Sequence, residues 1–382
     1  MGTASSRDRG RMVTAAQPFT LRKAGTSRAA AVRHLGPNWY ASVMGTAIVA
    51  TAGAGLPGHV PGLRTACTAV WALSLTILLA LLAARALHWA YHRDQARAHL
   101  LDPAVAPFYG CLSMALLAVG GGALVVGQDW IGTRTAVALD FVLFSAGTAI
   151  GLVAAVAVPY LMVVRHRIEP GQASPVWLLP LVAPMVSAAL GPPLVPHLPA
   201  GQPRETLLFA CVAMFGLSLL AVMVMMPMIL ARLITTGPLP LALTPALFLV
   251  LGPLGQSTTA VGKFADFAPG VVPAPYEQGF GTLAVLYGVP VMGFALLWLG
   301  LAAAMVLRAR RRGMGFAMTW WAFTFPVGTC VTGAEALARH TGLVAFEVLA
   351  VALYVLLVAA WSVAGVRTAR GLVSGELLAA PR

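Results

Sequence analysis

Ten apolar runs, each about the length that crosses a bilayer, constrain this chain more than any other feature. They fall at about 38–57, 63–88, 107–127, 132–163, 174–192, 205–234, 242–262, 278–307, 315–337 and 342–366. Short connections marked by Gly and Pro separate them, as at Pro57-Gly58, Gly191-Pro192-Pro193 and Gly237-Pro238. Only 10% of the residues are charged, against about 25% in a soluble domain. A chain with so little to offer water reads as all-α and membrane-embedded. Residues 37–369 form the expected ten-helix domain, 1–36 a basic, disordered cytoplasmic tail, and 370–382 a second cytoplasmic tail. The sixth and eighth runs exceed one bilayer thickness, which predicts tilt or protrusion.

The positive charges orient the spans. With the N-terminus in the cytoplasm, 20 of the 25 Lys and Arg fall on the cytoplasmic side and 5 (Arg64, Arg134, Arg204, Lys263, Arg339) on the other. That split predicts a multi-pass protein of the cytoplasmic membrane with both termini inside. Met1 to Gly36 has no apolar h-region, so the first span is expected to direct insertion. The net charge of +13 follows from this topology and from anionic lipid headgroups as partners, and gives no reason to invoke nucleic acid. The segment His88 to Pro103, too polar to span, is expected to lie along the cytoplasmic interface, its His and Arg toward headgroups rather than around a metal. Cys67, Cys111, Cys211 and Cys330 lack CxxC spacing and read as buried thiols. No HExxH, Asp-rich or Ser-His-Asp pattern suggests an enzyme, and no cofactor or metal is expected.

Odd and even spans differ in kind. The odd ones carry Ser42, Gly45, Thr46, the run Gly120-Gly121-Gly122, Pro180, Pro184, Pro253, Gln256, Ser257, Thr324 and Pro326, whereas spans two and ten are nearly unbroken Ala, Leu and Val. Small and kinking residues suit an inner ring and unbroken apolar helices an outer one. This predicts five hairpins, with odd helices around a central pore. The even spans blur the pattern with Pro159, Pro227 and Pro290. No carboxylate lies at mid-depth in the odd spans, so such a path favours anions over cations.

Three stretches carry a family resemblance. Gly36-Pro37-Asn38-Trp39-Tyr40-Ala41-Ser42-Val43-Met44-Gly45-Thr46, Gly252-Pro253-Leu254-Gly255-Gln256-Ser257 and Trp320-Trp321-Ala322-Phe323-Thr324-Phe325-Pro326 resemble the first, seventh and ninth spans of the tellurite-resistance/dicarboxylate transporter family. That family includes plant slow-type anion channels, the yeast malic acid transporter and the fungal sulfite efflux pump. The resemblance covers about residues 36–368. It implies quasi-fivefold symmetry, a homotrimer with one pore per subunit, and a ninth-span Phe that plugs the pore. By the match that gate is Phe325, with Phe323 the alternative. The two lie about 200° apart around a helix and cannot both point inward. The expected substrate is a small anion such as sulfite, nitrate, chloride or a C4-dicarboxylate (malate). A proton-coupled carrier on the same fold is the alternative.

The expected pore lining is Ser42, Gly45, Thr46, Pro184, Pro253, Gln256, Ser257, Thr324 and Pro326, with Lys263 at the outer mouth. Pro253 and Pro326 are expected to bend their helices. Gln256 and Ser257 read equally as anion donors or as interhelical hydrogen bonds. Lys263 also reads as a snorkelling side chain. Asp140 reads either as a coupling group or, preferred, as an interface-facing or Arg134-paired carboxylate.

Overall fold

The computed structural model describes residues 33–378, apart from 59 and 170. The N-terminal tail expected at 1–36 therefore lies mostly outside the described residues. Ten helical segments follow one another: α1 Tyr40–Gly55, α2 Leu63–Tyr91, α3 Ala106–Ile131, α4 Thr133–Val164, α5 Pro175–Leu190, α6 Gln202–Thr236, α7 Leu241–Phe267, α8 Ala274–Arg311, α9 Phe325–Thr341 and α10 Val344–Val373. A separate helix, Arg93–Leu101, occupies the polar stretch after α2. No strand occurs among the described residues.

Burial separates the helices into two rings. The most apolar windows of α3 and α7 are 83% and 78% buried, while those of α2, α4, α6, α8 and α10 are between 17% and 33% buried. The remaining odd helices, α1, α5 and α9, are short and almost wholly buried. Each odd helix packs against the next, and α9 returns to α1, closing a ring of five. Each even helix packs on its own hairpin partner and on the following inner helix. An outer helix with lipid on one side needs only a narrow buried stripe. Its residues are otherwise apolar without further pattern.

Lengths follow the same division. Seven helices are long and apolar enough to cross a membrane by themselves; α1, α5 and α9 are shorter than 18 residues. Each inner helix is preceded or begun by a 3-10 segment: Pro37–Trp39, Ala106–Phe108, Pro175–Trp177, Leu241–Val250 and Met318–Phe323. These turns add length while the chain enters the ring. In contrast α6 and α8, with 35 and 38 residues, reach about 52 and 57 Å at 1.5 Å per residue, well past the hydrocarbon core.

The 3-10 segments mark an internal repeat. Pro37, Pro107, Pro175 and Pro245 recur at intervals of about 70 residues, and Met318 opens the fifth copy. One repeat is one hairpin, so the fivefold arrangement is written into the spacing.

Glycines set how closely the ring can draw in. A Cβ on Gly110 of α3 would collide with the Leu179 carbonyl of α5, and one on Gly255 of α7 with the Thr329–Cys330 backbone of α9. Gly122 and Gly127 of α3 clear space for the Trp71 indole of α2, whose Nε1 donates to the Val119 carbonyl at 3.0 Å. The Gly120-Gly121-Gly122 run thus serves packing between rings.

Candidate functional site

The five inner helices enclose an axis, and the repeat dictates what faces it. Counting from the first residue of each 3-10 segment or its proline, the residue four further on is Ala41, Cys111, Leu179, Leu249 or Ala322. These five share one cavity of about 20 Å³. The residue seven further on is Met44, Met114, Val182, Gly252 or Phe325, and these share a second cavity of about 10 Å³. Met44, Leu179, Leu249 and Pro326 border both cavities, so the two stack along the axis. Each has room for about one water molecule. The bore is sealed here by apolar side chains.

Phe325 is the largest side chain in the tight layer and is 2% exposed. It is the first residue of α9. The preceding Thr324 adopts φ −98°, ψ −78° where the 3-10 segment gives way to the α-helix. On the neighbouring α7, Gly252 borders the same cavity, and an added Cβ there would meet no atom within 4 Å. Pro253 and Pro326 both sit in the first turn of the α-helical parts of α7 and α9. At both, a 3-10 segment (Leu241–Val250, Met318–Phe323) passes into the α-helix, and the proline supplies no N–H to the carbonyls before it. The Leu251 and Gly252 carbonyls meet the Thr329 hydroxyl at 3.4 and 3.3 Å, tying α7 to α9.

Phe323 lies elsewhere. Its ring packs edge-on against Phe248 at 4.8 Å and against Trp320, bordering a groove that α8 and α10 also line.

Above the tight layer the axial faces of α7 and α9 become polar. A 3.6-residue period carries the Gly252 face through Gln256 and Thr259 to Lys263, and the Phe325 face through Thr332 toward Glu335 and Arg339. Thr259 and Thr332 hydroxyls lie 2.7 Å apart across the two helices. Gln256 Oε1 is buried without a hydrogen-bond partner. At the far end Lys263, Arg339 and His340 converge on Asp266 at 3.9, 3.3 and 3.1 Å.

Several residues expected in the lining face other helices. Ser42 and Thr46 border a large lateral groove of about 710 Å³ between α1, α2 and α10. Their hydroxyls donate to the Trp39 and Ser42 carbonyls, and Thr46 also accepts from Trp361 Nε1 at 3.1 Å. Gly45 is closed over by Thr324 and Trp321, marking the α1–α9 contact. Ser257 donates to the Leu254 carbonyl and lies beside Tyr287 of α8. Pro184 is buried two positions past axial Val182, on the opposite side of α5. Hydroxyl, Gly and Pro residues thus chiefly solve helix packing, and only Gln256, Pro326 and Phe325 fall on the axial face or beside its cavities.

Asp140 corrects one expectation outright. It is 1% exposed on α4, packed against Gly120, and neither carboxyl oxygen finds a hydrogen-bond partner. No ion pair joins it to Arg134 among the described residues. The helix Arg93–Leu101 holds His99 with its ring stacked on His88 at 5.4 Å. Burial, helped by Arg85 and His88, pushes the His99 pKa down to about 4. No group of three or more His, Cys, Asp or Glu among the described residues is arranged for a metal.

This geometry has known counterparts. A family model described as SLAC1, voltage-dependent anion channel, matches residues 34–369. An uncharacterized transporter of Methanocaldococcus jannaschii is 25% identical over 350 residues, covering 91% of this chain and 96% of the relative. Sulfite efflux pumps of Arthroderma otae and Trichophyton rubrum are each 26% identical over 341 residues, covering 87% of this chain and 89% of the relative. These relatives are channels and transporters rather than enzymes. With ten helices in two rings and a match across nearly all of them, the chain belongs to the SLAC1 family of multi-pass membrane anion channels and transporters.

Proposed function

We propose that small anions cross the membrane along the axis of this helical ring, and that Phe325 is the gate that closes it. The observation that carries this reading is the tight layer itself. An aromatic ring fills the axis at one level, next to a glycine of the neighbouring helix that leaves open space in the same cavity. An apolar plug blocks ions by excluding water and needs no charge. Among the described residues the two apolar layers hold no acidic side chain, which suits anion passage.

Sulfite is the first substrate to test, because relatives of matching length are sulfite efflux pumps. Nitrate, chloride, malate and tellurite follow. Following the family resemblance and the charge distribution, the protein sits in the cytoplasmic membrane as a homotrimer with one bore per subunit. Both termini, and the ends of the inner helices that carry the 3-10 segments, face the cytoplasm, and Lys263 faces outside. The basic residues of the cytoplasmic face meet anionic headgroups.

Anion flux into proteoliposomes tests the gate. Phe325→Ala should raise flux on the order of tenfold or more, the effect of removing at least ~1.4 kcal/mol of barrier. Equal flux through folded wild type and variant would remove Phe325 as the gate. A proton-coupled carrier is the second reading, and the buried Glu335 favours it; flux that appears only under an imposed pH gradient would select it.

A further inference from the structure

We propose that the distal mouth of the bore contains a proton-linked anion site, in which Glu335 and the travelling anion compete for the ammonium of Lys263. The inference rests on the conducting bore proposed above and states how its outer site is regulated. Glu335 lies in the last part of α9, 6% exposed, with its carboxyl against Gly55 of α1. Its Oε1 is buried and accepts no hydrogen bond. A structural carboxylate at this depth would be held by donors. This one has an oxygen left to carry a proton.

The surrounding charges define what the proton does. Gly262 of α7 packs on Ala336 of α9, which sets Lys263 and Glu335 next to this contact, and Lys263 and Arg339 are the cations whose charge acts on Glu335. The Tyr354 hydroxyl on α10 lies near it but donates to the Val49 carbonyl at 3.2 Å. On α1 the neighbour is Gly55, which carries no charge. Asp266 already holds Arg339 at 3.3 Å and His340 at 3.1 Å, while its distance to Lys263 is 3.9 Å, the longest of the three. Lys263 is therefore the least committed cation.

Charge balance then sets the linkage. Of Lys263, Arg339, Asp266 and an ionised Glu335, two are cations and two are carboxylates, so their charges balance. A proton on Glu335 leaves one net positive charge, with Lys263 free to hold an anion. The proton comes from bulk water on that side and returns there, or leaves with the anion. Binding of the two is mutually favourable, and the coupling is reciprocal. The site suits a small oxyanion or halide that takes its hydrogen bonds from Lys263, since the Thr259 and Thr332 hydroxyls just below already donate to the Gly255 and Thr329 carbonyls or to each other.

Nitrate is the probe of choice because it does not itself titrate between pH 5 and 8. In Phe325→Ala proteoliposomes, its apparent affinity should tighten about fivefold or more as the distal pH falls from 8 to 5.5, the scale of an ordinary coupling. Glu335→Gln on that background should bind tightly at every pH, with a flat profile. Lys263→Gln should weaken binding throughout. Thermal melting in detergent reads the same linkage without conduction: nitrate should raise the wild-type Tm more at pH 5.5 than at pH 8, and equally at both in Glu335→Gln. A Glu335→Gln protein that keeps the wild-type pH profile overturns the proposal, as does a nitrate-dependent Tm shift that ignores pH in wild type. If melting shows the linkage while Phe325→Ala fails to conduct, the site stands and the bore reading falls.

Discussion

The two halves of the axis are built on different plans. In the half where the inner helices begin, all five repeats contribute alike: two successive layers take one residue from every inner helix, and every residue is apolar. In the other half the symmetry is gone. Polar and charged groups come mainly from α7 and α9, as Gln256, Thr259, Lys263, Thr332, Glu335 and Arg339, while α5 supplies Val186 and Ala189 at the matching offsets. A symmetric apolar collar is a good seal, since each layer needs only to exclude water. An off-centre polar wall is a good binding surface, since an anion needs a few donors on one side. The geometry thus suits sealing at one end of the five helices and anion binding at the other.

The sharpest way to break this division is to move the plug. If Phe325 seals against open space at Gly252, then Phe325→Ala opens the bore and adding Gly252→Leu to it should close it again. Flux should rise on the order of tenfold and return to the wild-type level in the double variant, a non-additivity expected of residues sharing one cavity. Proteoliposome uptake of nitrate measures both. A double variant that conducts like Phe325→Ala would show that the layer does not set the barrier.

The next test contrasts the inner ring with the outer one. Gly255 has the α9 backbone where its Cβ would stand, whereas a Cβ on Gly216 of α6 would meet nothing within 4 Å. Gly255→Val should destabilise the fold by about 2–3 kcal/mol through overpacking, seen as a clear fall in Tm in detergent. Gly216→Ala should be neutral or slightly stabilising, because it removes unfolded-chain freedom and adds helix propensity. Similar losses at both sites would mean the rings pack with equal tightness.

Much of this architecture was legible in the letters, and the misses have a common cause. Ten apolar runs gave ten helices, with outer ends misplaced by a few residues because helices such as α8 continue beyond the membrane with Arg308, Arg310 and Arg311 on the last turn. The inner and outer rings followed from Gly, Pro and hydroxyl content. The lining did not, because those same residues are what close helix packing requires: Gly45 makes room for Thr324, and the Ser42 and Thr46 hydroxyls bond to their own helix. Residue type could not separate a pore face from a packing face. The spacing could. Once Pro37, Pro107, Pro175 and Pro245 are aligned, the position seven residues on reads Met44, Met114, Val182 and Gly252, and Phe325 takes the fifth place. The signal was a 70-residue period rather than a composition.

Asp140 sharpens the distinction between a structural and a conducting carboxyl. It faces Gly120 on α3, away from the axis, with no partner for either oxygen. Asp140→Asn should therefore keep or raise stability, by on the order of 1 kcal/mol, since it removes an ionisable group that the fold does not pair. Nitrate flux in the Phe325→Ala background should not change with it. A fall of several degrees in Tm would reveal a cation bound to Asp140 in the membrane.

The smallest expected effect lies outside the bore, in the helix Arg93–Leu101. His99 is 9% exposed, and its Nδ1 lacks a hydrogen-bond partner. Burial, with Arg85 and His88 close by, lowers its pKa from 6.5 to about 4. The docked helix therefore holds neutral imidazole, and the undocked one takes up a proton first. Docking should be fully stable above pH 6.5 and weaken as pH falls from there toward 4, by about 1 kcal/mol at pH 5.5. Amide exchange in residues 93–101 should speed up over that range while exchange in α7 and α9 near the tight layer stays slow. His99→Leu should abolish the pH dependence without opening the bore, because the helix packs at the margin of the ring and contributes no residue to its axis. Exchange that rises together in both regions would join this helix to the seal and erase the boundary between them.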